Sequence, residues 1–194
     1  MRDSRRWSNR DLLVLAFLWT TAVAHAQFEV HYFKQPRPLV LDTGRIAIFV
    51  QLGELDGPAL KTALADRGIS ATQVAPHSPR GWWLVDLESK IEGRKSADAI
   101  LTLAAGIPSI EFASPVFVNR FSSPSFLTRE TIVQFADRVS SKDQTALLAA
   151  HWTGASLASN WAGMARVHLL RTSHKNALRL LEETNALAQR DELT

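Results

Sequence analysis

Apolar positions along this chain switch between a two-residue beat and a three-to-four-residue beat, and the whole alternation is written nearly twice. The run Arg45-Ile46-Ala47-Ile48-Phe49-Val50 corresponds to Glu130-Thr131-Ile132-Val133-Gln134-Phe135. In each copy a short helix seeded with Ala and Leu follows, Pro58-Ala59-Leu60-Lys61-Thr62-Ala63-Leu64 in the first and Asp143-Gln144-Thr145-Ala146-Leu147-Leu148-Ala149 in the second. A turn-rich segment then leads to an apolar strand, around Trp82-Trp83-Leu84-Val85-Asp86-Leu87 or Arg166-Val167-His168-Leu169-Leu170-Arg171, and to a second helix. Each copy has the size of a small domain rather than of a solenoid repeat.

Within the first copy, Pro36 and Pro38 make the lead from Phe28 to Pro38 extended or an edge at best. A strand is expected near Ile46–Leu52. Pro58 suits the opening of a helix that carries Leu60, Ala63, Leu64 and Arg67 at helical spacing and stops at Gly68. A weak second strand ends at Val74, with a turn through Pro76, Pro79 and Gly81. Ser96-Ala97-Asp98 opens a helix with Ala97, Ile100, Leu101 and Ala104 on one stripe, ended by Gly106 and Pro108. The fourth strand is Ser109–Ala113, halted at Pro115, within the closing stretch Ile110-Glu111-Phe112-Ala113-Ser114-Pro115-Val116-Phe117.

The second copy is less regular. Ser141 and Gln144 have the spacing of a capping box, and the last helix, about Lys175–Arg190, aligns Ala177, Leu180, Leu181, Thr184 and Ala188. The given sequence reaches Leu193-Thr194 where the first copy supplies its closing strand, so the expectation is a second unit without its last strand. In a sheet whose fourth strand lies beside the first, that leaves unpaired main-chain groups on the first strand of the unit.

This order predicts an α+β fold: two tandem ferredoxin-like (βαββαβ) sandwiches, the second lacking its last strand, with both helices of a unit on one sheet face. The expected division is residues 1–26 as signal peptide, 27–121 as the first unit and 122–194 as the second. Period-two alternation turns Trp83, Val85 and Leu87 to the helix side and Trp82, Leu84 and Asp86 to the open face. An exposed Trp would mark a partner-binding surface, unless a neighbouring loop or the other unit covers it.

Arg2, Arg5, Arg6 and Arg10 precede the apolar run Leu12–Trp19, which closes on Ala24-His25-Ala26 before Gln27, the pattern of a secretory signal cleaved between Ala26 and Gln27. The run is well short of the ~20 residues a membrane-spanning helix needs. The 194 residues carry 22 basic and 19 acidic side chains; losing four Arg and two Asp with the signal leaves 18 and 17, so the net charge falls from +3 to +1. A nearly neutral mature chain with scattered Arg offers no clustered basic face for nucleic acid. The absence of Cys excludes a disulfide scaffold and thiolate catalysis, and suits bacterial export to the periplasm or medium.

Candidate chemistry is sparse. Leu41-Asp42-Thr43-Gly44 follows an apolar strand, as the catalytic carboxylate of an aspartic protease does, where two carboxylates must share a proton. Arg45 stands where a small residue is expected, and no second Asp-Thr-Gly occurs, so a Gly-containing turn accounts for the same residues. The six His form no His-Glu-x-x-His, no Ser sits in a Gly-x-Ser-x-Gly elbow, and no Gly-rich phosphate loop is present, so no metal and no cofactor is expected. Ile91-Glu92-Gly93-Arg94 matches a processing-protease site by composition; in a loop its Arg would be cleavable.

The tandem arrangement, the closing strand Ile110–Phe117, and Asn160-Trp161-Ala162-Gly163-Met164 before a strand together resemble the N-terminal prodomains of bacterial subtilisin-like serine proteases, the fervidolysin-like kind in particular. The likeness spans nearly all of residues 28–194 and rests on order and spacing. It implies a ferredoxin-like module that assists folding of a protease domain and inhibits it, packing its open sheet face on the enzyme with a tail in the active-site cleft. The catalytic Asp, His and Gly-Thr-Ser-Met-Ala blocks of that family are lacking, so the resemblance implies a non-catalytic partner of a subtilisin-like protease. Contact candidates are Trp82, Leu84, Phe112, Ser114, Pro115, Val116 and Phe117. A secreted binding or scaffold protein of the same fold is the other reading, since fold alone does not fix function.

Overall fold

The computed structural model describes residues 28–32, 34–51, 53–79, 81–118 and 123–193. The expected signal peptide and its cleavage site at Ala26 and Gln27 lie outside the described residues. The chain folds as α+β, with β1 Phe28–Tyr32, β2 Gln35–Val50, α1 Gly57–Ala65, β3 Ala71–His77, β4 Trp82–Leu87, α2 Arg94–Ala105, β5 Ile110–Val118, β6 Pro124–Phe126, β7 Glu130–Gln134, α3 Ser141–His151, β8 Gly154–Ala158, a 3-10 turn at Trp161–Gly163, β9 Val167–Thr172 and α4 Ala177–Ala188. One sheet runs β3-β4-β2-β5-β6 with β1 also paired to β2; the other runs β7-β9-β8. The strand pairs among the described residues are antiparallel, and an isolated parallel bridge joins Ala113 to Asn176.

Local chemistry explains most boundaries. Asp56 caps α1 by accepting the Ala59 N–H, Pro58 sits in its first turn, and Gly68 takes the left-handed φ of +78° beyond its end. Helix α3 begins one residue earlier than the Ser141 capping box predicts: Ser140 is the cap and accepts the Asp143 N–H. That shift frees Gln144 to turn inward. Asn176 caps α4 through the Leu178 N–H.

Strand β5 does not halt at Pro115. The Ala113 N–H points away from β2, to the Lys175 carbonyl at 2.8 Å, and Pro115 shares that parity. Its missing donor therefore removes no rung of the β2–β5 ladder, and the strand continues to Val118. Strand β2 is longer than expected because Pro36 and Pro38 lie where it is paired on one side only, to β1; pairing with β5 starts at Val40. A register break between Leu41 and Ile46 accommodates the Asp42–Arg45 segment.

The helix-side row falls as the alternation predicts. Val85 is fully buried with Leu60, Leu64, Ala97 and Leu101, and Trp83 and Leu87 pack against that cluster. The reverse face is not free. Ala47, Trp82, Phe112 and Val116 join Val133, Phe135, Leu148, Trp152, Leu170 and Leu187 in one contiguous cluster that spans both sheets. Helix α4 serves two cores at once: Leu178 and Leu181 enter the first cluster, Ala177, Leu180 and Leu187 the second. Asn176 Nδ2 ties the same helix to Asp98 Oδ1 of α2 at 2.9 Å, and Asn185 exchanges bonds with the main chain of β1.

The two halves share a detail of register. Val50, at the end of β2, pairs with Ile110, the first residue of β5; Phe135, just past β7, forms an antiparallel bridge with Leu193.

Candidate binding surfaces

Of the seven contact candidates read from the sequence, the structure buries Trp82, Phe112, Ser114, Pro115, Val116 and Phe117 and leaves Leu84 half-buried. The agent is β6. From the sheet edge Phe126 reaches over the face to lie 4.5 Å from the Trp82 ring and 5.5 Å from His77 on the opposite edge strand. Phe49 and Phe112 complete the cage at 5.3 and 6.3 Å from the indole. Ser114, fully buried, accepts the Leu127 N–H at 3.0 Å and pins the segment after β6 against the strand it crosses. An open face bearing Trp82 and Phe112 would expose a large apolar patch to water, and aromatic groups of this size dominate local packing. Pro124-Ser125-Phe126-Leu127, an apolar pair behind a proline, is the sequence signal for this closure; sequence reasoning passed over it.

Asp42 sits in a turn, as the Gly-containing alternative predicts. Its Oδ1 accepts the Gly44 N–H at 3.0 Å and its Oδ2 pairs with the Arg45 guanidinium at 2.6 Å. A shared-proton dyad needs a second carboxylate at that place, and the Arg45 guanidinium stands there instead.

One buried polar pair was not anticipated. Gln144 Nε2 donates to the Val139 carbonyl at 2.9 Å, which fixes the amide so that its Oε1 faces His168 Nε2, also at 2.9 Å. This arrangement assigns the proton to Nε2. Nδ1 is buried with no partner among the described residues, and the Phe135 ring packs edge-on at 5.2 Å. Burial pushes the His168 pKa down, because the charged imidazolium would lose its hydration there.

The second sheet offers the open face that the first does not. His168 and Val133 share a register position and turn to α3, so the alternate row, Ile132, Leu169, Glu130 and Arg171, faces outward. Ile132 is 53% exposed and Leu157 on β8 is 43% exposed. Glu130 and Arg171 form a cross-strand ion pair that borders these apolar residues.

The same ion pair lines a cleft of about 520 Å³ with Phe49, Trp82, Glu111 and Arg129. Gly81 closes the β3–β4 turn beside it with φ +93°, and a Cβ there would come within 2.7 Å of the Phe49 ring, so only glycine fits. Arg129 pairs with Glu111, and its guanidinium lies 5.9 Å from the Phe49 ring centre. Burial chiefly, and Arg171 next, lower the Arg129 pKa, with Glu130 opposing. The cleft thus joins an aromatic floor to a rim of alternating charge, next to the open face.

No protein-family model matches the sequence, and a comparison with curated proteins likewise gives no match. Among the described residues no helix is long and apolar enough to cross a membrane.

Proposed function

We propose that this chain is an exported, prodomain-like protein that binds and slows a subtilisin-like serine protease through an open sheet face. Under this reading the β3-β4-β2-β5 order and its two crossing helices are one ferredoxin-like unit, and β7-β9-β8 with α3 and α4 is a second one in which no strand among the described residues takes the place of β5. The observation that carries the proposal is the reverse side of the second sheet, where Ile132 and Leu157 stand in solvent beside half-buried Leu169 and the Glu130–Arg171 pair. Apolar anchors ringed by charge are the pattern of a docking surface, with the ionic rim setting orientation more than affinity. The contact therefore moves from the Trp82 face, which the chain covers itself, to Ile132, Leu157 and Leu169. Trp82 contributes as floor of the adjoining cleft.

A domain that binds a folded or nearly folded enzyme stabilises that state by mass action, which accounts for inhibition and folding assistance together. The test adds the purified chain, residues 27–194, to a subtilisin-like enzyme and follows peptide hydrolysis and the yield of enzyme refolded from denaturant. Slower hydrolysis and a higher yield are expected; no change in either rejects the proposal in favour of a binding or scaffold role unrelated to proteases.

A further inference from the structure

The second sheet has an edge that the first sheet fills. Thr172 donates to the Arg129 carbonyl and Phe135 donates to the Arg166 carbonyl, so the odd-numbered residues of this segment aim their main-chain groups at β9. By the alternation of an antiparallel ladder, Glu130, Ile132 and Gln134 aim theirs the other way, where no strand of the described residues pairs with β7. The next residue of that parity, Ala136, shows what the edge accepts: its N–H is taken by the Glu192 carbonyl at 2.8 Å, beside the Phe135–Leu193 bridge. A ladder has begun there.

A groove of about 240 Å³ runs beside the Glu130–Thr131 end of the same edge, lined by Leu180, Leu181 and Thr184 of α4, Val30 of β1, and Leu127. In the first half of the molecule the corresponding slot, between β2 and α2, is occupied by β5, whose Ile110 and Ala113 are fully buried in the helix-side core. Aligning the helix starts, Arg94 with Ala177, places Leu180 and Thr184 on the positions of Ala97 and Leu101, both fully buried there. The occupant is thus specified from within the molecule: a strand that, like the first half of β5 with Ile110 and Ala113, turns apolar residues to the helix side.

We propose that the β7 edge and the groove beside α4 form a strand-acceptor site for an extended polypeptide segment of a partner, added antiparallel to β7 in continuation of the Phe135–Leu193 rung. Main-chain bonds to Ile132, Gln134 and the Glu130 N–H hold the segment, the Glu130 carbonyl already accepting from the Thr128 hydroxyl, and the apolar side chains on its helix side enter the groove; this is recognition by strand addition, in which the ladder supplies affinity and the pockets supply selectivity. An uncovered edge of this kind is otherwise an aggregation hazard, which a bound strand removes. The site is separate from the outward sheet face invoked for protease binding, because it uses main-chain groups rather than the Ile132 side chain.

The probe is a fluorescein-labelled, amidated peptide with the sequence of residues 109–114, Ser-Ile-Glu-Phe-Ala-Ser. Fluorescence anisotropy is expected to show saturable binding to the full chain, and amide hydrogen exchange is expected to slow at Glu130, Ile132 and Gln134 when the peptide is bound. Ile132→Pro removes an N–H that faces away from β9, so the variant keeps the β7–β9 ladder yet loses binding at least tenfold; Lys142→Ala, at an exposed position of α3, keeps it within about twofold. No binding at the solubility limit of the peptide overturns the proposal. So does slow exchange at those three amides in the free monomer, which would mean that the edge is already covered, or a dimer that protects them without peptide, which would make a second copy the occupant. Failure of protease inhibition with peptide binding intact would remove the protease reading alone.

Discussion

Replacing Gln144 with Leu tests the buried polar pair between α3 and β9 most directly. The substitution nearly conserves volume, but it takes one acceptor from His168 Nε2–H and one donor from the Val139 carbonyl, in a place where Gln144 is 4% and His168 5% exposed. An orphaned buried polar group costs roughly 1–3 kcal/mol, so two orphans predict a loss of about 2–6 kcal/mol in urea unfolding near pH 7.5. Adding His168→Phe removes one of the two orphans, and the double variant should recover about 1–3 kcal/mol of that loss, a coupling that a double-mutant cycle isolates. The wild type carries a pH signature as well. Since burial lowers the folded pKa of His168 below the ordinary ~6.5, the unfolded chain takes up the proton first. The contribution of the neutral imidazole is complete above about pH 6.5 and is lost as pH falls from there toward the folded pKa. The difference in stability between wild type and the His168→Phe, Gln144→Leu variant should therefore shrink as the solution is acidified through that window. A Gln144→Leu cost below about 0.5 kcal/mol, or a double variant no more stable than the single, would refute the assignment of a paired Gln–His core.

Trp82→Ala should act on folding: with the indole 5% exposed inside its aromatic cage, thermal or urea unfolding should register a loss of about 3–5 kcal/mol. Unchanged stability with weakened protease binding would return Trp82 to the contact surface. Ile132→Lys and Leu157→Lys should leave unfolding free energies within about 0.5 kcal/mol of wild type while raising the inhibition constant at least about 30-fold, as expected of central anchors; equal inhibition by both variants would exclude this face. Asn176→Ala should cost about 1 kcal/mol for the lost cap alone and more through the broken bonds to Asp98 and Thr102, with faster amide exchange at Leu178 as the local readout.

Particular residues show how far the sequence could be read. Period-two alternation correctly turned Trp83, Val85 and Leu87 toward the helices, because the side-chain direction in a strand is a local property of the backbone. Gly68 after α1 and the helical stripe of α4 were legible for the same reason. Pro115 was misread because its effect depends on which neighbour its missing donor faces: it faces away from β2, on the side where β6 pairs from Val116 onward, and strand order is not a local property. Gln144 was taken for a capping partner, though the cap is Ser140; whether a polar side chain turns out to a helix terminus or in to a histidine is settled by packing of α3 on β9.

The positions of most strands and helices and the direction of each apolar row were fixed by residues acting within a few positions of one another, and such short-range preferences survive without a partner. Which sheet face remains open was not. That outcome required Phe126 to cross from one sheet edge to the other, Ser114 to hold Leu127, and α4 to be shared between two cores. Burial is a property of the assembled surface, and it left Ile132 and Leu157, rather than Trp82, facing the solvent.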